Sequence, residues 1–112
     1  MEITVEQHPP ATVVRISGSV DGLTAETLLS TLQAQLDAGH ARLVGDLSGV
    51  DYTSSAGLRA LLATVKDARQ KGGDFRLAGA TPAVQRVLEM SGFTSILKMY
   101  DAVDAAVASF GS

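Results

Sequence analysis

The sequence contains no cysteine and no tryptophan, and only five of its 112 residues are phenylalanine or tyrosine. Without cysteine, a disulfide framework, a thiolate nucleophile and a thiolate metal ligand are all excluded. No apolar run comes close to the length of a transmembrane helix, which is about 18 residues. The first residues also lack the basic block followed by an apolar block that is typical of a signal peptide. A net charge of −3 offers no basic field for nucleic acid. We therefore expect a cytoplasmic protein that binds neither nucleic acid nor membrane.

Motifs for catalysis and cofactor binding are also missing. The two histidines, His8 and His40, have no clustered partners, so no metal site is predicted. The chain has no Gly-x-Ser-x-Gly elbow and no Gly-x4-Gly-Lys-Ser/Thr phosphate loop. We expect no catalytic residue and no cofactor. A small serine enzyme built on the serine pair described below is the enzymatic alternative.

What the sequence does contain is an aliphatic pattern that alternates between strand and helix periods. Its hydrophobic content of 46% over 112 residues is enough for one core, so a single domain is predicted over residues 1–112. The periodicities predict an α/β fold, a mixed sheet of about five strands with four helices in the order β-β-α-β-α-β-α-β-α.

Turn and capping residues predict where these elements begin and end. Residues 19–22 read as a loop, with Thr24 as the N-cap of the first helix and Glu26 in its first turn. The Thr81-Pro82 pair predicts the start of the third helix, because proline suits the first helical position. Ile96 and Leu97 predict the last strand, with Asp101 or Asp104 opening the final helix.

The stretch Arg42–Arg69 is the most informative part of the sequence. Its pattern predicts a buried strand, a turn around Asp46 to Asp51, and a long amphipathic helix that starts at Thr53, Ser54 or Ser55. A phosphoryl group at such a start is tolerated, because free amides and the helix dipole favour anions. The serine pair therefore predicts either a phosphorylation switch or ordinary helix capping.

Three runs of residues carry a family resemblance that covers essentially the whole chain. The chain resembles the STAS family, in particular bacterial anti-sigma factor antagonists. The runs are LVGDLSGVDYTSSAGLRALL (43–62), ISGSVDGLTAETL (16–28) and RLAGATPAVQRVLEMSGF (76–93).

The resemblance implies a partner-switching protein with a modified serine. Its partners would be an anti-sigma factor that is also a serine kinase, and a serine/threonine phosphatase that reverses the modification. Many members carry the acceptor directly before the glycine, but here Ala56 precedes Gly57. Ser55 is then the implied acceptor, as in the family's Ser-Ser-Ala-Gly-Leu branch, and Ser54 is the alternative.

The resemblance also implies a contact surface for the partner. Its residues are Asp21, Ser48, Asp51, Tyr52, Thr53, Ser54, Gly57 and Arg59. For Gly57, close packing on the sheet is an equal explanation of the glycine. A phospho-switch module in chemotaxis, secretion or biofilm signalling is the alternative function. Some family members bind nucleotides, but no residue pattern here specifies such a pocket.

Overall fold

The computed structural model describes residues 1–111, and it contains five strands and four helices in the predicted order. The strands are β1 (Glu2–His8), β2 (Ala11–Val20), β3 (Arg42–Thr53), β4 (Asp74–Ala78) and β5 (Met99–Tyr100). The helices are α1 (Gly22–Asp37), α2 (Ser55–Gln70), α3 (Pro82–Met90) and α4 (Val103–Ala108), with a 3₁₀ turn at Phe93–Ser95.

The five strands form one sheet in sequence order, β1-β2-β3-β4-β5. Strand β1 pairs antiparallel with β2, and the remaining pairs are parallel. Because β2, β3 and β4 run the same way, α1, α2 and α3 all begin at the edge where these strands end. We call this edge the carboxyl edge. The chain start lies near it too, since Glu2 pairs with Ser17 and Met1 packs beside Gly18.

Helices cover the two faces of the sheet unequally. Helices α1, α2 and α3 pack on one face, where the largest buried side chains meet around Phe75, Ile16 and Leu28. Helix α4 packs on the other face through Ala106, against Val13 and Val44 among other residues. That short helix leaves part of its face uncovered.

Apolar spacing accounts for the two long helices. In α1, Leu28, Leu32 and Leu36 recur every four residues and are all at most 3% exposed, so they form one buried stripe. In α2, Leu61 and Val65 face the sheet in the same way. The fully buried face of each helix fixes its rotation, and with it the position of its first residue.

The first helix begins earlier than predicted. Strand β2 continues to Val20 through Gly18, so the expected loop at residues 19–22 is wrong. Asp21 is the N-cap of α1, and Thr24 is the third helical residue rather than the cap. The Thr24 hydroxyl accepts the Asp21 backbone N–H at 2.8 Å. The pair forms a capping box, which explains why the threonine resembled a cap. Glu26 lies beyond the first turn of the helix.

The turn expected around Asp46 to Asp51 is also wrong, because β3 runs unbroken to Thr53. Asp46 is 6% exposed; its carboxylate accepts the Ser48 amide at 3.0 Å and pairs with Arg15 at 2.7 Å. The polar groups that suggested a turn therefore find their hydrogen-bond partners while the chain stays extended. Two register shifts against β2 accommodate the local irregularity.

Two expectations near the end of the chain need correction. Ile96 and Leu97 follow the 3₁₀ turn, and the last strand is Met99–Tyr100. Leu97 is buried at 1% exposure, so its apolar signal reports core packing rather than a strand. Ala102, not Asp101 or Asp104, is the N-cap of α4.

A buried carboxylate ties the far end of α2 to the sheet. Asp74, at the start of β4, accepts hydrogen bonds from Arg69 at 2.9 Å and from Arg76 at 3.0 Å. Burial disfavours its charge, but these two arginines and the Phe75 amide outweigh burial and lower the pKa of Asp74. Asp74 therefore stays ionised as a structural anion.

Candidate functional site

The two adjacent serines at the start of α2 have different environments. Ser54 is the N-cap: it is half-buried, has extended backbone angles, and its hydroxyl accepts the Gly57 amide at 3.2 Å. Ser55 is the first helical residue and is exposed, and no protein group within residues 1–111 hydrogen-bonds its hydroxyl. The structure thus separates a capping hydroxyl from a free one.

The start of α1 lies directly beside the start of α2. The Ser54 backbone N–H donates to the Val20 carbonyl at 2.8 Å, and Tyr52 pairs with Ser19 across the two strands. Since Asp21 follows Val20, the two N-caps are neighbours. Two helix dipoles therefore present their positive ends at the same place, which favours an anion there.

Asp21 is held rigidly by its own helix. Its carboxylate accepts the backbone amides of Leu23 at 3.0 Å and Thr24 at 2.9 Å, together with the Thr24 hydroxyl at 3.0 Å. The hydrogen bonds from the Thr24 amide and hydroxyl lower the pKa of Asp21. The residue is nevertheless exposed, so a fixed negative charge stands at the carboxyl edge.

A third helix begins at the same edge. Thr81 caps α3, as predicted, with its hydroxyl accepting the Val84 amide at 3.4 Å. The same hydroxyl donates to the Val50 carbonyl at 3.4 Å, which fastens the α3 start to β3. The carboxyl edge is thus built from three helix starts fixed to neighbouring strands.

Gly57 has a packing role that its sequence position left undecided. It is buried, and a Cβ placed on it would collide with Thr53 Oγ1 and come within 2.9 Å of Val20 Cγ1. Only glycine lets α2 approach the strand ends this closely. Gly57 offers no exposed surface to a partner, and Thr53 faces the helix. Both residues therefore pack between α2 and the strand ends and hold the serine pair in place.

The remaining predicted contact residues do not all lie together. Asp51 and Tyr52 are exposed near the end of β3, and Arg59 is exposed one helical turn beyond Ser55 on the same face of α2. Ser48 lies within β3, about 16 Å along the strand from Thr53 at roughly 3.3 Å per residue. It therefore belongs to the uncovered sheet face rather than to the serine pair.

One exposed residue at this edge was missed by sequence reasoning. Leu23, the second residue of α1, is 82% exposed although it is a large apolar side chain. The available signal was its position directly after Asp21-Gly22, outside the buried leucine stripe of α1. Its placement becomes visible only once the correct N-cap is known.

Two features, a cluster of metal ligands and a membrane-spanning helix, are absent from the described residues. Within residues 1–111, no three histidine or acidic side chains come together as metal ligands. Over the same range, no helix combines the length and apolarity needed to cross a bilayer. The groups available at the carboxyl edge include hydroxyls, amides, carboxylates and a guanidinium, which suit binding and anion acceptance.

Comparison with protein families identifies the chain. The model of the STAS domain matches residues 2–106, nearly the whole length described above. The chain belongs to the STAS family. A protein named as a candidate anti-sigma factor antagonist, BtrV of Bordetella bronchiseptica, is 39% identical to this STAS domain over 110 residues, covering 98% of this chain and 95% of that protein.

Solved structures agree with this assignment. The crystal structure of an anti-sigma factor antagonist from Mycobacterium paratuberculosis has a TM-score of 0.90 at 30% identity, covering 99% of this chain and 94% of that one. The antagonist SpoIIAA in its unphosphorylated form has a TM-score of 0.83 at 17% identity, covering 96% and 95% of the two chains. The phosphorylated form of the Bacillus protein has a TM-score of 0.76 at 16% identity, covering 96% and 98%. The SpoIIAA likenesses show the STAS fold alone.

Proposed function

We propose that this protein is an anti-sigma factor antagonist that works as a partner-switching binding module. When Ser55 is unmodified, the protein binds an anti-sigma factor that is also a serine kinase. Phosphorylation of Ser55 by that kinase ends the binding, and a serine/threonine phosphatase restores it. The protein itself needs no catalytic residue for this exchange, which we place in the cytoplasm.

The free hydroxyl of Ser55 is the observation that carries the proposal. A kinase needs a hydroxyl that it can reach and that is not committed to the fold, and Ser55 meets both conditions. Ser54 does not, because its oxygen accepts the Gly57 amide and the side chain is half-buried. We therefore assign Ser55, rather than Ser54, as the phosphoacceptor.

The fold can hold the phosphorylated serine without rearranging. The first amides of α2 lack intrahelical partners, and the dipole end favours negative charge. Arg59 lies four residues further along the helix, the spacing at which an anion and a following cation attract each other. Phosphorylation adds about two negative charges there, which changes the surface while the fold stays intact. The two SpoIIAA structures support this, since that fold exists in both forms.

The partner surface consists of the exposed residues of the carboxyl edge around Ser55. We place Asp21, Asp51, Tyr52, Ser55 and Arg59 in it, with Ser54 at its margin. Thr53 and Gly57 lie beneath this surface and position the start of α2.

Phosphorylation by purified anti-sigma factor kinases of the same genome, followed by mass spectrometry, tests the proposal. We expect phosphate on Ser55 in the wild-type protein and in Ser54→Ala, and none in Ser55→Ala. We also expect Ser55→Asp to bind the kinase more weakly while unfolding at the same urea concentration. The proposal fails if no kinase binds or modifies the wild type, or if Ser55→Asp binds as tightly as the unmodified protein.

A further inference from the structure

Two large apolar side chains stand exposed at the carboxyl edge. Leu23 is 82% exposed and Tyr52 is 56% exposed. Leu23 lies in the first turn of α1, two residues after the N-cap Asp21, and Tyr52 lies at the end of β3, two residues before the N-cap Ser54. The four other exposed large apolar side chains of the described chain lie on β1, on α3 or after the 3₁₀ turn: Val5, Val87, Met90 and Ile96.

An interface of ordinary size at this edge would contact both side chains. A typical partner covers about 800 Å² of each protein, a patch roughly 30 Å across. The protein measures 32 × 25 × 22 Å, so a patch of that size centred on Ser55 spans the whole carboxyl edge. Such an interface would therefore reach the ends of α1 and β3 that carry Leu23 and Tyr52.

The charges around Ser55 do not favour a strongly charged partner. Two exposed carboxylates, Asp21 and Asp51, stand at this edge, but so do Arg59, on the same face of α2 as Ser55, and the amino group of Met1, which interacts electrostatically with Asp21. A strongly basic partner face would bind the phosphorylated form more tightly than the unmodified one. A partner face that is apolar where it meets Ser55 would bind the unmodified protein and lose binding on phosphorylation.

We propose that Leu23 and Tyr52 anchor an apolar contact with the anti-sigma factor kinase, and that the Ser55 phosphate releases this partner because the contact would strip the phosphate of water. The inference rests on the proposed function and specifies the partner face, an apolar centre with a neutral or basic rim. Stripping a phosphate of water costs more than losing one weak surface ion pair, even where the first amides of α2 and Arg59 share part of its charge. The contact is thus incompatible with the modified serine.

The expected effect of each anchor follows from its buried area. Removing a leucine or tyrosine side chain from such a contact should weaken binding about tenfold or more, since side chains of this size gain most of their free energy from burial. Tenfold corresponds to about 1.4 kcal/mol. Folding should be unaffected, because both side chains are exposed in the free protein.

Binding of the kinase to Leu23→Ala, Tyr52→Ala and Met90→Ala tests the anchors by calorimetry. Met90 is the matched control, because it is 81% exposed but lies at the end of α3, away from the carboxyl edge. We expect the first two variants to bind about tenfold more weakly and Met90→Ala to stay within twofold of wild type. Binding by Leu23→Ala and Tyr52→Ala equal to that of Met90→Ala would overturn the inference and leave the proposed function standing.

Salt distinguishes loss of hydration from repulsion. The Debye length falls from about 10 Å at 0.1 M to about 3 Å at 1 M salt. We expect the ratio of dissociation constants between the phosphorylated and unmodified proteins to change less than about threefold between these conditions. A ratio that collapses towards one at 1 M salt would show that repulsion drives release. A wild-type protein that binds no kinase would refute the proposed function itself.

Discussion

Replacing each serine of the pair separately by alanine should have opposite effects on stability. Ser54→Ala removes the acceptor of the Gly57 amide and leaves that N–H without its partner in a buried position. Losing a serine cap typically costs about 1 kcal/mol, and an unpaired buried amide costs about 1–3 kcal/mol. We expect the free energy of unfolding to fall by about 1.5 kcal/mol. Ser55→Ala removes an exposed hydroxyl and improves helix propensity, so the change should lie between zero and a gain of about 0.5 kcal/mol.

Urea unfolding measures this difference directly. With an m-value of about 1.5 kcal/mol per M, the midpoint of Ser54→Ala should lie about 1 M below that of wild type. Ser54→Asp is the control, since aspartate caps a helix as well as serine does and should restore most of the loss. The reasoning is refuted if Ser55→Ala loses as much stability as Ser54→Ala, or if Ser54→Ala unfolds at the wild-type midpoint.

Two further predictions concern packing and pH. Gly57→Ala should lower the free energy of unfolding by about 2 kcal/mol, because its methyl group would strike Thr53. Gly22→Ala is the control: a Cβ at that position meets no neighbouring side chain within 4 Å, so the free energy of unfolding should change by less than about 0.5 kcal/mol. Equal losses in the two variants, measured by thermal unfolding, would contradict the packing argument. Asp74→Asn should cost about 2 kcal/mol at pH 7, less than a fully buried pair because one of its two arginines remains 43% exposed. Since the folded pKa of Asp74 is lowered, its contribution is complete above the unfolded pKa of about 4 and disappears as pH falls through the folded value. The difference in the free energy of unfolding between wild type and Asp74→Asn, measured in urea, should therefore be constant from pH 5 to 7 and shrink as the pH falls below about 4. A difference that grows in acid would exclude this role.

The order of elements was predictable because local signals and the fold agree at most positions. Thr81-Pro82 marked the start of α3 correctly, since a capping hydroxyl and a proline act within one turn of helix. The four-residue spacing of Leu28, Leu32 and Leu36 likewise places these side chains on one face of α1. These signals depend only on neighbouring residues, so the sequence displays them directly.

The errors occurred where distant residues decide the structure. Ser48 and Asp51 suggested a turn, but parallel pairing with β2 and the ion pair of Asp46 with Arg15 keep β3 extended. The different environments of Ser54 and Ser55 also depend on how the start of α2 is fixed to Val20, which no short pattern encodes; which serine is the phosphoacceptor stays a prediction. The sequence left two explanations for Gly57 for the same reason, because its close packing against Thr53 and Val20 is visible only in the fold.

The antiparallel course of β1 has a practical consequence for anyone handling the protein. Met1 packs beside Gly18, so an affinity tag or fluorophore fused ahead of it would emerge next to the surface we assign to the kinase. The glycine turns at Gly39 and Gly72 lie at the opposite end of the sheet, with open space around them. Attachment to a sensor chip or a label through those turns would leave the kinase-facing end unobstructed.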